Sequence, residues 1–109
     1  YFQSLAPKGV RVKVTPMHGG EGYVCPIDHP AYKAAETGFT MAFGKRPLAV
    51  RRGGSIPIIS DFERVLGVKT ILMGFGLESN AIHSPNENFP LDLLRKGIEA
   101  VVGFHLNYK

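Results

Sequence analysis

Two loops of this chain carry residue types that could hold a ligand or a metal. The first is Arg51-Arg52-Gly53-Gly54-Ser55-Ile56-Pro57. Paired glycines let a backbone approach a ligand closely or adopt positive φ. A helix opening at Ile56-Pro57 would aim its unpaired N–H groups and positive dipole end at the loop. Ser55 could add its hydroxyl. The chemistry favoured there is capture of a carboxylate or another anion. The plainer reading is a tight turn into a helix with Ser55 as its N-cap. Neither Gly-x-Gly-x-x-Gly nor Gly-x-x-x-x-Gly-Lys occurs in the loop, so nucleotide-phosphate binding is unsupported.

The second loop is Asn80-Ala81-Ile82-His83-Ser84-Pro85-Asn86-Glu87. A neutral imidazole in such a loop can ligate zinc, with an outer hydrogen-bond acceptor fixing its tautomer. Ser84 and Glu87 have capping-box spacing. The plainer reading is an exposed loop histidine beside a capped turn. A zinc site needs three or four protein ligands. The chain has no His-x-x-x-His, Cys-x-x-Cys or paired-carboxylate motif to supply the others. His18, in His-Gly-Gly, reads as a turn residue; His29 reads as a helix entrance; His105 sits on a terminal helix. None of the three is assigned a catalytic role.

The elements that must position these loops follow from periodicity. Val10, Val12 and Val14 alternate with polar residues, as a half-buried strand does. Tyr23–Cys25 and Pro47–Val50 read as short extended runs, and Thr70–Phe75 as an apolar interior strand. Asp28-His29-Pro30 suits a helix start, apolar spacing continues through Phe43, and Gly44 suits its left-handed end. A second helix is expected from Pro57 to Leu66, closed by Gly67, and a third from about Pro90 to Leu106. This alternation predicts an α/β fold, a short sheet covered by helices. Both loops follow predicted buried strands, and ligands in open α/β sheets bind beyond the carboxyl ends of strands. The expectation is therefore that His83 and the Gly54–Ser55 turn converge at one end of a shared sheet.

Composition narrows the classes. At 109 residues with 44% hydrophobic and 20% charged content, the chain is one small foldable domain or a piece of a larger one. The net charge of +4 is spread along the sequence, without the dense stripe and interleaved aromatics of a nucleic-acid surface. No run approaches the roughly 20 apolar residues that span a bilayer. A single cysteine, Cys25, permits no internal disulfide and points weakly to a reducing, cytoplasmic compartment. Its apolar setting reads as a structural thiol rather than a nucleophile.

Jointly, Arg51-Arg52-Gly53-Gly54-Ser55-Ile56-Pro57 and the downstream His83-Ser84-Pro85-Asn86-Glu87 resemble the M20 family of metallopeptidases, with a carnosinase-like dipeptidase or succinyl-diaminopimelate desuccinylase flavour. The Val10–Val14 run, His18-Gly19-Gly20 and His29-Pro30 fit the family in the same order. The resemblance implies a two-domain enzyme that hydrolyses amide bonds of dipeptides or N-acyl amino acids and binds two zinc ions. It implies that His83 is the last metal ligand and that Gly54 and Ser55 hold the substrate carboxylate. Arg51 matches a basic position before the two glycines; Arg52 takes no role. The other ligands and the glutamate that deprotonates the zinc-bound water belong to the family's N-terminal half, which these residues do not match. The implied boundaries are a remnant of a cleavage tag at 1–4, the end of the lid, or dimerisation, domain and a connector at 5–22, and the C-terminal part of the catalytic domain at 23–109. The expectation is a fragment that is inactive and zinc-free alone and prone to self-association, from a homodimeric parent without nucleic-acid or membrane partners. The competing reading is a non-enzymatic α/β module that binds an anion.

Overall fold

The chain between His29 and Gly44 has every local reason to be helical. His29 is extended (φ −64°, ψ 139°), and its Nδ1 accepts the Ala31 N–H at 3.2 Å. Pro30 takes the first helical position, where its missing N–H leaves nothing unpaired. Gly44, at φ 68°, adopts the left-handed conformation that closes a helix, and its N–H donates to the Thr40 carbonyl. The resulting helix is α1, Pro30–Phe43, in a computed structural model that describes residues 1–51 and 56–109. Helix α2, Ile58–Leu66, opens on Pro57 and closes on a left-handed Gly67. Helix α3, Leu91–Asn107, follows an extended Pro90. Each lies where the sequence predicts a helix.

Helices α1 and α3 pack against each other through small residues. The buried face of α1 is Ala31, Ala34, Ala35 and Gly38; that of α3 is Gly97, Ala100 and Gly103. At the crossing the backbones nearly touch. A Cβ on Gly38 would stand 2.4 Å from the Ala100 carbonyl oxygen and 2.7 Å from the Phe104 nitrogen. Beside this seam Phe75 fills the space left by Gly97 and joins Phe39 and Phe43, with ring centroids 5.1 and 6.3 Å away. Lys96 Nζ sits 5.5 Å from the Phe43 ring centroid.

The predicted sheet is not there. Among the described residues no segment is a β-strand, so the α/β expectation, a short sheet covered by helices, is corrected to a helical arrangement with extended connections. The reason is pairing. A strand exists only when its backbone exchanges hydrogen bonds with a neighbour. No backbone–backbone bond among the described residues joins the runs at 10–14, 47–50 and 70–75. Both backbone groups of Thr70 are instead bonded by one side chain: the Tyr23 hydroxyl donates to the Thr70 carbonyl and accepts its N–H, each at 3.0 Å. Alternation and apolar runs report extended backbone seeking cover. Phe75 finds that cover on the helix pair, whereas Leu48 stays 87% exposed.

Candidate functional site

The run at 70–75 delivers the chain to a loop whose organiser is Asn80. A short 3-10 turn, Glu78–Asn80, follows Leu77. Asn80 and Leu77 are doubly joined: the Asn80 N–H donates to the Leu77 carbonyl at 3.0 Å, and the Leu77 N–H donates to Asn80 Oδ1 at 2.6 Å. The Asn80 carbonyl then accepts the Asn88 N–H at 3.0 Å, closing the loop's far end. Asn80 is 2% exposed, and it is the one buried polar or charged side chain among the described residues. Its Nδ2 has no hydrogen-bond partner there. A buried donor left unpaired costs about 1–3 kcal/mol.

His83 stands on the arc that Asn80 closes. The arc turns through Ser84 N–H to Ala81 carbonyl (2.9 Å) and Glu87 N–H to Ser84 carbonyl (3.2 Å). The Ser84–Glu87 spacing thus marks a backbone turn. Three non-glycine residues of the arc have positive φ: Ala81 at 52°, His83 at 60° and Asn86 at 64°. Left-handed backbone is uncommon outside glycine, although Asn and His adopt it more readily than Ala does. His83 itself is exposed, so its imidazole is presented outward and not packed in the helix pair.

The other loop is only partly described. Arg51 is exposed, while Gly54 and Ser55 lie outside the described residues. Pro57, at the loop's end, is met by Gly20: a Cβ there would fall 2.8 Å from the Pro57 carbonyl oxygen. Gly20 therefore lies against the start of α2, while a Cβ on Gly19 would meet nothing within 4 Å. The expected meeting of His83 with the Gly54–Ser55 turn at one sheet end loses its sheet.

Of the remaining histidines, His29 is the cap of α1, His105 packs edge-on to Phe104 at 5.0 Å, and His18 is exposed. No group of three or more His, Cys, Asp or Glu side chains is placed to hold a metal among the described residues. Zinc centres take three or four protein donors, so these residues alone do not make one. Burial pushes the half-buried Cys25 thiol above its usual range, which suits a structural thiol better than a nucleophile. No helix among the described residues is long and apolar enough to cross a membrane.

Sequence reasoning missed two features. Asn80 carried no signal beyond its place at the start of the loop, because burial of a loop amide depends on tertiary packing. Glu36 and Arg46 form an ion pair at 2.7 Å beside a shallow cleft of about 310 Å³ that Tyr32, Lys33 and Leu48 also line. Arg46 lies beyond the helix end, so helical spacing does not reveal the pair.

Comparison with known proteins gives this geometry its context. The sequence profile of Peptidase family M20/M25/M40 matches residues 3–107. The chain is similar to the Cys-Gly metallodipeptidase dug1 of Schizosaccharomyces pombe, with 34% identity over 98 residues, 90% of this chain and 20% of that protein. It is 27% identical over 104 residues to the Cys-Gly metallodipeptidase DUG1 of Saccharomyces cerevisiae, 94% of this chain and 21% of the relative. It is 31% identical over 65 residues to the human Beta-Ala-His dipeptidase, 60% of this chain and 13% of the relative. The chain thus spans about a fifth of the length of the first two. No solved structure matches significantly. With residues 3–107 matched, and 34% identity across 90% of its length, this chain belongs to peptidase family M20/M25/M40.

Proposed function

We propose that the intact protein hydrolyses the amide bond of a dipeptide or an N-acyl amino acid in a metal-dependent reaction, and that this chain contributes two loops to that site. His83 supplies one metal ligand. Gly54 and Ser55, with Arg51 beside them, receive the substrate's terminal carboxylate. The metal is zinc, two ions in the complete enzyme, with the other donors coming from the part of the protein these residues do not span. The reading's main support is the family match over residues 3–107 to a group whose similar members are named dipeptidases. The His83 loop fits the role locally, because it holds an exposed imidazole on a hydrogen-bonded arc.

The chain's own residues do recognition and positioning in this scheme. The Arg51 guanidinium is a group suited to pairing with the substrate's carboxylate. The metal, when bound, supplies Lewis-acid chemistry at the amide. The single cysteine is compatible with a reducing compartment, and the cytoplasm is the one we propose.

The test is paired. The isolated 109-residue chain is expected to carry no stoichiometric zinc and to show no dipeptide hydrolysis; zinc with turnover would refute the division of labour. In the intact protein, His83→Ala should lower zinc content and reduce kcat/KM by more than about a hundredfold, beyond what outer-shell changes cost. Ser55→Ala should raise KM with zinc retained. If the protein were instead a non-enzymatic anion-binding module, Ser55→Ala would weaken anion binding and His83→Ala would change nothing.

A further inference from the structure

We propose that Asn80 is the positioning residue for His83. This rests on the reading of His83 as a metal ligand, and it names the side chain that holds that ligand's loop in shape. The arc from Ala81 to Asn86 contains three non-glycine residues in left-handed backbone, His83 among them. Such a conformation persists where its surroundings over-determine it. The arc has turn bonds of its own, from Ser84 to Ala81 and from Glu87 to Ser84, and Asn88 Nδ2 donates to the Asn86 carbonyl, but Asn80 is the residue that joins its two ends. Asn80 uses its N–H and Oδ1 on Leu77 and its carbonyl on Asn88, so it ties together both ends of the segment that displays His83.

Burial makes this knot different from an ordinary turn. The residues of the arc are mostly exposed, yet Asn80 is shielded from water. Its bonds therefore face little competition from solvent, and they hold more firmly than the same bonds at a surface. The Nδ2 group is left without a partner. Within the described residues the side chain acts through its acceptor oxygen, which takes the Leu77 N–H. The two halves of the side chain then predict different outcomes when they are changed separately. Asn80→Asp retains an oxygen for the Leu77 N–H and discards the orphan donor, while placing there a carboxyl group whose neutral form burial favours. Asn80→Ala removes both.

The experiment measures zinc affinity by chelator competition in the intact protein, with kcat and KM on a dipeptide, for Asn80→Ala, Asn80→Asp and His83→Ala. Asn80→Ala is expected to weaken zinc binding about 10- to 100-fold, the range for residues that orient a ligand. It should leave KM near the parent value when zinc is saturating. Asn80→Asp is expected to restore affinity to within a few-fold of the parent. Amide hydrogen exchange at Leu77 and Asn88 should quicken in Asn80→Ala and stay slow in Asn80→Asp. A folded Asn80→Ala protein with unchanged zinc affinity, alongside a His83→Ala protein that loses it, overturns the proposal and leaves His83 as a ligand. Unchanged zinc affinity in His83→Ala instead removes the ligand reading itself. Should Asn80→Ala fail to fold, Asn80→Asp decides: retained zinc with slow exchange at Leu77 supports the proposal, and lost zinc in a folded protein overturns it.

Discussion

A histidine in left-handed backbone gives up conformational freedom that a flexible surface loop would keep. At φ 60°, His83 lies on the arc that the Leu77–Asn80–Asn88 bonds close. Cys25 shows the opposite use of a reactive type. Its thiol is half buried, burial raises its pKa, and its sulfur lies 3.8 Å from the Pro26 carbonyl oxygen. The thiolate is the form that reacts with alkylating reagents. Alkylation by iodoacetamide should therefore reach half its maximal rate at a higher pH in the folded chain than in a cysteine peptide, and denaturant should abolish the difference. The same shift sets a stability trend. Above the ordinary thiol range the folded state keeps a proton that the unfolded state has lost, so this group's contribution to stability falls as pH rises there. An alkylation midpoint at or below the peptide's would show Cys25 to be activated, and the structural assignment would be wrong.

At the scale of elements, the seam between α1 and α3 is the most demanding contact in the molecule. Replacing Gly38 by alanine gains about 1 kcal/mol of helix propensity. It also drives a methyl group to within 2.4 Å of a carbonyl oxygen, against backbone that cannot rotate aside. Overpacking typically costs about 1–3 kcal/mol, and contact with backbone belongs at the upper end. Gly38→Ala should therefore lower the thermal unfolding midpoint, and so should Gly103→Ala, whose new methyl would meet Gly38 Cα at 2.8 Å. A midpoint unchanged or raised in both would mean the helices do not cross this closely. The helices themselves were legible in the sequence because their signals are local: His29-Pro30 at one end and Gly44 at the other, Pro57 and Gly67 around α2. The expected strands do not form among the described residues, because alternation at Val10–Val14 and the apolar run at Thr70–Phe75 describe a segment's need for cover without naming its partner. The site divides likewise. His83 stands out in the sequence as a candidate, by its residue type in a polar loop after an apolar run. Asn80 does not, since nothing in its type or spacing marks it as the buried polar residue.

Across the whole molecule, the apolar surface is larger than its own folding uses. The radius of gyration is 18.9 Å, against about 13 Å for a compact domain of this length. Helix α3 is apolar on two faces: Gly97, Ala100 and Gly103 meet α1, while Leu94, Ile98 and Val102 remain about half exposed. A groove of about 230 Å³ runs between these residues, Phe75 and Phe89. Helix α2 leaves its single apolar face largely uncovered, with Ile58, Phe62, Val65 and Leu66 exposed and Ile59 buried. A helix apolar on more than one face is normally enclosed, and soluble monomers rarely leave contiguous apolar patches beyond a few hundred Å². The isolated 109-residue chain should therefore self-associate, giving a light-scattering mass above the 11.9 kDa of one copy. The driving force is burial of apolar area, so added sulfate should strengthen association, whereas an assembly held by ion pairs would weaken as salt screens them. Leu94→Lys combined with Ile98→Lys, both outside the α1–α3 seam, should shift the population toward single copies. A monodisperse 11.9 kDa species at high concentration, with no binding of a hydrophobic dye, would show that the chain closes its own apolar faces in solution.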